Sequence, residues 1–169
     1  MGPLLHGIIL MSFVLTGMAG CATKNISDRS KKRIAVFDIE AYVVSKPTDG
    51  GGAADMAPFF TSKLIQTLQE NPSVTILERE KISTALEELS LGSSDLAQEE
   101  TRLKIGRIIG ASHMIFGGYQ VIGGTMRIDL RMVEVASGTI VSVVARTGPA
   151  SDTSIWLNTI GEMGKALLE

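Results

Sequence analysis

Cys21 is the sole thiol among 169 residues, so the chemistry open to it is narrow. A disulfide needs a second cysteine, and a zinc site needs three or four clustered Cys, His or carboxylate ligands. What remains is covalent modification of the thiol itself. Other groups that could do chemistry have bland explanations. Ser62, Ser83 and Ser90 fall on predicted helices without a nucleophile-elbow context. His113 begins a predicted strand, and the other histidine, His6, precedes Cys21. Gly50-Gly51-Gly52 follows a strand and precedes a helix, where phosphate loops occur, but it lacks the Lys-Ser/Thr ending and reads as a loop. Asp38 and Glu40 occupy alternate strand positions, so both can face solvent. Glu87, Glu88, Glu99 and Glu100 read as solvated helix faces. No catalytic residue, metal site or cofactor is therefore expected, and the chain does not read as an enzyme.

The segment ahead of Cys21 decides what happens to its thiol. Residues 7–20 (GIILMSFVLTGMAG) are uncharged and apolar. They match the h-region of a secretory signal and are too short to span a bilayer as a helix. Met18-Ala19-Gly20-Cys21 resembles a bacterial lipobox. That resemblance implies that the thiol is diacylated, the peptide is cut before Cys21, and the new amine is acylated. Three chains, at about 0.8 kcal/mol per buried methylene, make a lasting anchor. Residues 1–6 contain no Lys or Arg, unlike a usual signal n-region, which points to a start upstream. Ala22 and Thr23 put no aspartate beside the cysteine, and by resemblance to lipoprotein sorting this favours the outer membrane. Residues 22–33 (ATKNISDRSKKR) are polar, aperiodic and basic, hence a tether reaching roughly 40 Å when extended.

Charge separates tether from body. The whole chain carries −2. Lys24, Arg29, Lys31, Lys32 and Arg33 against Asp28 give the tether +4, which leaves −6 on residues 34–169. Such a body is unsuited to nucleic-acid backbones, which need clustered Lys and Arg. Residues 34–169 have the length of one domain, and with no disulfide available they must be held by packing.

Hydrophobic period alternates along this body. Ile34 to Tyr42 reads as one buried strand interrupted by Asp38 and Glu40. Asp55 caps a helix to about Asn71, with Phe60, Leu64 and Leu68 on one face, and Pro72 ends it. Val74–Leu77 is a short strand. A helix bearing Ile82, Leu86 and Leu89 runs to Gly92, and Asp95 with Gln98 forms a capping box for a third helix ending at Gly110. His113–Ile122 and Thr125–Val135 make a hairpin through Gly123-Gly124. In its second strand, Met126, Ile128, Leu130 and Met132 alternate with Thr125, Arg127, Asp129 and Arg131, so one face is buried and one wet. Thr139–Arg146 is a fifth strand. Asp152 introduces a closing helix with Trp156, Ile160, Met163 and Leu167 aligned. The order βαβααβββα predicts a single α/β domain with a mixed sheet and flanking helices. Met114, Met126, Met132 and Met163 sit at core-like positions, as packing rather than metal ligands.

Several of these pieces together resemble the curli production assembly/transport lipoprotein family (CsgG-like), over nearly all of residues 33–148. They are Ile34-Ala35-Val36-Phe37-Asp38, Leu77-Glu78-Arg79-Glu80, Ile105-Gly106-Arg107-Ile108-Ile109-Gly110-Ala111, Gly117, and Arg131-Met132-Val133-Glu134-Val135 before Ser137-Gly138-Thr139. The resemblance implies an α/β periplasmic domain on an acylated cysteine. The chain departs from the family's channel in one respect. Two long β-hairpins build that barrel, one falling between Tyr119 and Met126 and one after Arg146. Two such hairpins need roughly forty residues. This chain has only a short turn at the first place and an immediate helix at the second.

The expectation is three segments: residues 1–20 a lipoprotein signal peptide, 21–33 the acylated cysteine and tether, and 34–169 the CsgG-like periplasmic domain. The leading functional class is an outer-membrane-anchored lipoprotein that works through contacts with envelope or secretion proteins, without being a pore. Two alternatives are a lipoprotein regulator of a peptidoglycan synthase, and a small-ligand binder using the loop 44–54. Family members assemble into rings, so a homo-oligomer is expected, with Trp156 as a candidate contact residue; its packing in the monomer core is the competing expectation. No nucleic-acid partner is expected.

Overall fold

A computed structural model describes residues 31–44, 55–89 and 99–169. The signal segment, Cys21, most of the tether, the triple-glycine loop and the Asp95–Gln98 capping box lie outside the described residues.

The predicted first strand is two strands, β1 (Lys32–Val36) and β2 (Glu40–Val44). They are followed by α1 (Ala57–Gln69), β3 (Val74–Ile76), α2 (Arg79–Glu88) and α3 (Glu99–Ile108). Then come β4 (His113–Ile122), β5 (Thr125–Glu134), β6 (Ile140–Pro149) and α4 (Thr153–Ala166). The six strands form one mixed sheet ordered β3-β1-β4-β5-β6, with β2 also pairing β4. Three parallel pairings among β1, β2, β3 and β4 meet two antiparallel ones at β4–β5 and β5–β6. The domain is therefore α/β, as its alternating periods predict.

The break between β1 and β2 has an identifiable cause. Both strands run along the same edge of β4, β1 against His113–Ile115 and β2 against Gly118–Val121. Phe37 still donates its N–H to Ile115 O at 3.0 Å. Ile39 instead donates to Thr61 Oγ1 on α1 at 3.0 Å, and that hydroxyl donates to Ala57 O at 2.9 Å. Thr61 and Ile39 are buried, so this side chain supplies a bond that the strand ladder does not.

Two hydrophobic layers enclose the sheet. On one face α1 and α4 bury Phe60, Leu64, Ile160 and Met163 against Ile115, Tyr119, Ile128 and Leu130. On the other, α2 and α3 cover Ala35, Met114 and Val133 with Ile82 and partly buried Leu86 and Leu103. Asp152 caps α4 by accepting from Ser154 N at 2.8 Å and from Ile155 N at 3.4 Å. The predicted hairpin is present: Gly123 and Gly124 adopt φ of 57° and 74°, which non-glycine residues rarely take. Its ladder pairs every residue from His113↔Glu134 to Ile122↔Thr125. No inserted hairpin interrupts it.

Candidate functional site

The α2/α3 face of the sheet is covered only in part, and the uncovered part is built from six segments of the chain. Phe116 comes from β4 and stacks on Phe37, from the break between β1 and β2, with ring centroids 4.8 Å apart. Two guanidinium groups flank the Phe116 ring: Arg102 of α3 at 4.8 Å from its centroid and Arg131 of β5 at 5.8 Å. Cations held over an aromatic face gain about 0.5–1 kcal/mol at exposed sites. Tyr42 of β2 lies over Gly118, where a Cβ would collide with its ring. Glycine at 118 therefore permits this close approach.

A cavity of about 140 Å³ opens here, lined by Phe37, Tyr42, Ser83, Arg102, Phe116 and Arg131, with Asp38 and Glu40 at its rim. A more open hollow of about 300 Å³ continues past Phe116 and Arg131 to Ile140 and Val143 on β6. The apolar side chains along this route are exposed: Tyr42 by 59%, Val143 by 63% and Ile140 by 49%. Cofactor and drug-sized pockets span roughly 300–1,000 Å³ and are mostly enclosed. The inner cavity is the size of one or two side chains. It has an aromatic floor of Phe37 and Phe116, two guanidiniums beside it and an apolar exit toward β6.

The other residues singled out by sequence are placed as follows. Asp38 and Glu40 are exposed, Asp38 in the strand break and Glu40 at the start of β2. Ser62 and Ser83 are exposed on α1 and α2, and Ser90 lies outside the described residues. Met114, Met126, Met132 and Met163 are buried in the two cores. His113 is half-buried, with Nδ1 2.9 Å from Ser112 Oγ. Ser112 Oγ accepts from Arg33 N at 2.8 Å and donates to Arg33 O at 3.0 Å. Through these contacts Ser112 and His113 clip the start of β4 to β1. Burial lowers the His113 pKa first and Lys32 lowers it further, against an opposing effect of Glu134.

Trp156, the candidate contact residue, is 4% exposed. Its indole N–H donates to Pro149 O at 2.8 Å, joining α4 to the end of β6. Tyr119 is also buried, and its hydroxyl donates to Asp55 Oδ1 at 3.2 Å while accepting from Met56 N at 3.1 Å. Burial raises its phenol pKa above 10.0, the leading influence among several.

Sequence reasoning did not assemble the Phe37–Phe116–Arg102–Arg131 group. Phe116 reads as one more apolar residue of a strand, and Arg131 as one of several wet positions on β5. Only the parallel pairing of β1 with β4 brings residues 37 and 116 together.

Comparisons with known proteins agree with the fold. The family described as curli production assembly/transport component CsgG matches residues 22–123. No curated protein matches the chain by sequence. Among solved structures, the LpoB C-terminal domain from Salmonella enterica is similar at a TM-score of 0.56 and 18% identity, over 71% of this chain and 84% of that one. The LpoB C-terminal domain from Escherichia coli gives 0.55 and 18%, over 69% and 82%. Lipoprotein GNA1162 from Neisseria meningitidis gives 0.52 and 12%, over 82% and 97%. At such identities the likeness establishes a common fold.

Proposed function

Because the chain belongs to the family of the curli production assembly/transport component CsgG, we propose that it is a non-enzymatic lipoprotein anchored through Cys21 to the periplasmic face of the outer membrane. In this reading residues 1–20 are removed, Cys21 carries the lipid, the tether runs from residue 22 to the start of β1 at Lys32 rather than to residue 33, and the α/β domain works through contacts with envelope or secretion proteins. The observation that carries the reading is the family match beginning at residue 22, directly behind Cys21. The site geometry supports contact rather than catalysis, since a side-chain-sized cavity opens onto exposed Tyr42, Ile140 and Val143. The unbroken β4–β5 ladder and the short passage from β6 into α4 support a role other than a pore.

Two measurements test this. Sucrose-gradient fractions should place the protein with outer-membrane markers, and planar-bilayer recordings of the full-length lipidated protein should stay silent. Co-migration with inner-membrane markers, or discrete channel steps, would contradict the reading. Regulation of a peptidoglycan synthase is the second reading, favoured by the fold shared with the LpoB domains. A tether of about ten residues between Cys21 and β1, reaching roughly 35 Å, is short for a partner across the periplasm.

A further inference from the structure

The cavity beside Phe116 holds an anion and a cation that do not meet. Glu40 and Arg131 both line it, and both are exposed. Among the described residues neither makes an ion pair, whereas Arg127 and Asp129 neutralise each other at 2.6 Å. Arg131 instead rests its guanidinium 5.8 Å from the centroid of the Phe116 ring. Asp38 and Arg102 also line the cavity, and each already has an interaction partner. With two charges of each sign around it, the cavity complements neither a plain anion nor a plain cation.

The sheet register keeps Glu40 and Arg131 apart on one face. Phe116 pairs with Arg131, and Gly118 pairs with Glu40 on one side and Asp129 on the other. Positions 116 and 118 share a face of β4, so Glu40 stands one two-residue step beyond Arg131, about 7 Å along the strands. β2 and β5 flank β4, which sets their backbones about 10 Å apart. The two charged ends therefore face one cavity from opposite sides of β4. Between them lie the stacked rings of Phe37 and Phe116, with Ile82 and Leu86 of α2 also lining the space. Its volume of about 140 Å³ is close to that of an apolar cavity, roughly 150 Å³, that takes up benzene.

We infer that this cavity binds a small zwitterion, a free α-amino acid with an apolar side chain. The side chain fills the space over Phe37 and Phe116, the carboxylate meets Arg131, and the ammonium meets Glu40. Both bonds are charge-assisted, about twice as strong as neutral ones. A residue within a peptide chain carries neither charge on its backbone, so a partner's side chain entering here leaves Glu40 and Arg131 unmet. The inference goes beyond the anchored-lipoprotein reading and does not depend on Cys21. Ile140 and Val143 lie outside the inner cavity and stay available for the contacts proposed above.

Isothermal titration of the full-length chain in detergent tests this with three ligands of one shape. Racemic phenylalanine should bind saturably at millimolar concentration or below. Phenethylamine lacks the carboxylate and hydrocinnamate lacks the ammonium, so each should bind about tenfold or more weakly. Arg131→Gln should weaken phenylalanine by a like factor and leave phenethylamine unchanged. Glu40→Gln should weaken phenylalanine and leave hydrocinnamate unchanged, with circular dichroism unaltered in both variants. No saturation by phenylalanine, or analogues that bind the wild type as well as it does, overturns the inference whether or not the variants fold. Equal binding of N-acetylphenylalanine amide overturns it in favour of a partner's side chain. Lipid labelling at Cys21 is read separately, so a failed titration removes the ligand site and leaves the anchored lipoprotein standing.

Discussion

Replacing Thr61 with valine removes one oxygen from a fully buried position and leaves Ile39 N–H facing it without an acceptor. The hydroxyl lies 3.0 Å from that N–H and 2.9 Å from Ala57 O, and both Thr61 and Ile39 are buried, at 0% and 2% exposure. Valine has nearly the same shape, so cavity formation is small. The cost is that of a buried donor left unsatisfied, about 1–3 kcal/mol. Taking about 2 kcal/mol, the midpoint of thermal unfolding should fall by about 6 °C for a domain of this size. Thr61→Ser keeps the oxygen and loses one methyl, about 1 kcal/mol. Urea unfolding should thus rank wild type above serine and serine above valine, with the slope unchanged. Native-state exchange should accelerate most at the Ile39 amide. A valine variant as stable as wild type, or more stable than serine, would refute the argument that Thr61 holds the break between β1 and β2.

Trp156→Ala should destabilise the folded domain by about 3–5 kcal/mol, the usual cost of removing a large buried ring, and chemical denaturation measures it. A variant of unchanged stability with altered sedimentation would instead make Trp156 a contact residue. His113 gives a pH dependence. Its folded pKa lies below the ordinary 6.5, so the unfolded chain takes up the proton first. Its contribution is full above 6.5 and is lost as pH falls from there through the folded pKa. Urea midpoints at about pH 7.5 and about pH 5 should differ less in His113→Gln than in wild type.

Where local chemistry alone determines structure, the sequence was legible. The glycine pair at 123–124 forces a two-residue turn, Asp152 caps the helix that follows it, and the alternation from Thr125 to Met132 sorts a buried face from a wet one. Those features need only neighbours within a few residues. The division of the first strand was not legible, because it depends on a hydroxyl twenty-two positions away on another element. Ile34–Tyr42 has the composition of one strand, and nothing in it states that Ile39 will bond outside the ladder. The Phe37–Phe116–Arg102–Arg131 group escaped for the same reason. Its members are scattered over α3, β4, β5 and the strand break, and the register of a parallel pair assembles them. The exposed edge of β6 was hidden in a further way: Ile140, Val141 and Val143 look like core in sequence, and only their place at the sheet's end leaves them in solvent.

The proposed acylation of Cys21 is the step on which the account stands, because it would turn the α/β domain into a membrane-anchored one. Metabolic labelling with an alkyne fatty acid, followed by immunoprecipitation, measures it directly. The wild-type chain should carry the label and sediment with membranes, and Cys21→Ala should carry none and be absent from the lipid-labelled fraction. Equal labelling of the two chains would contradict the account.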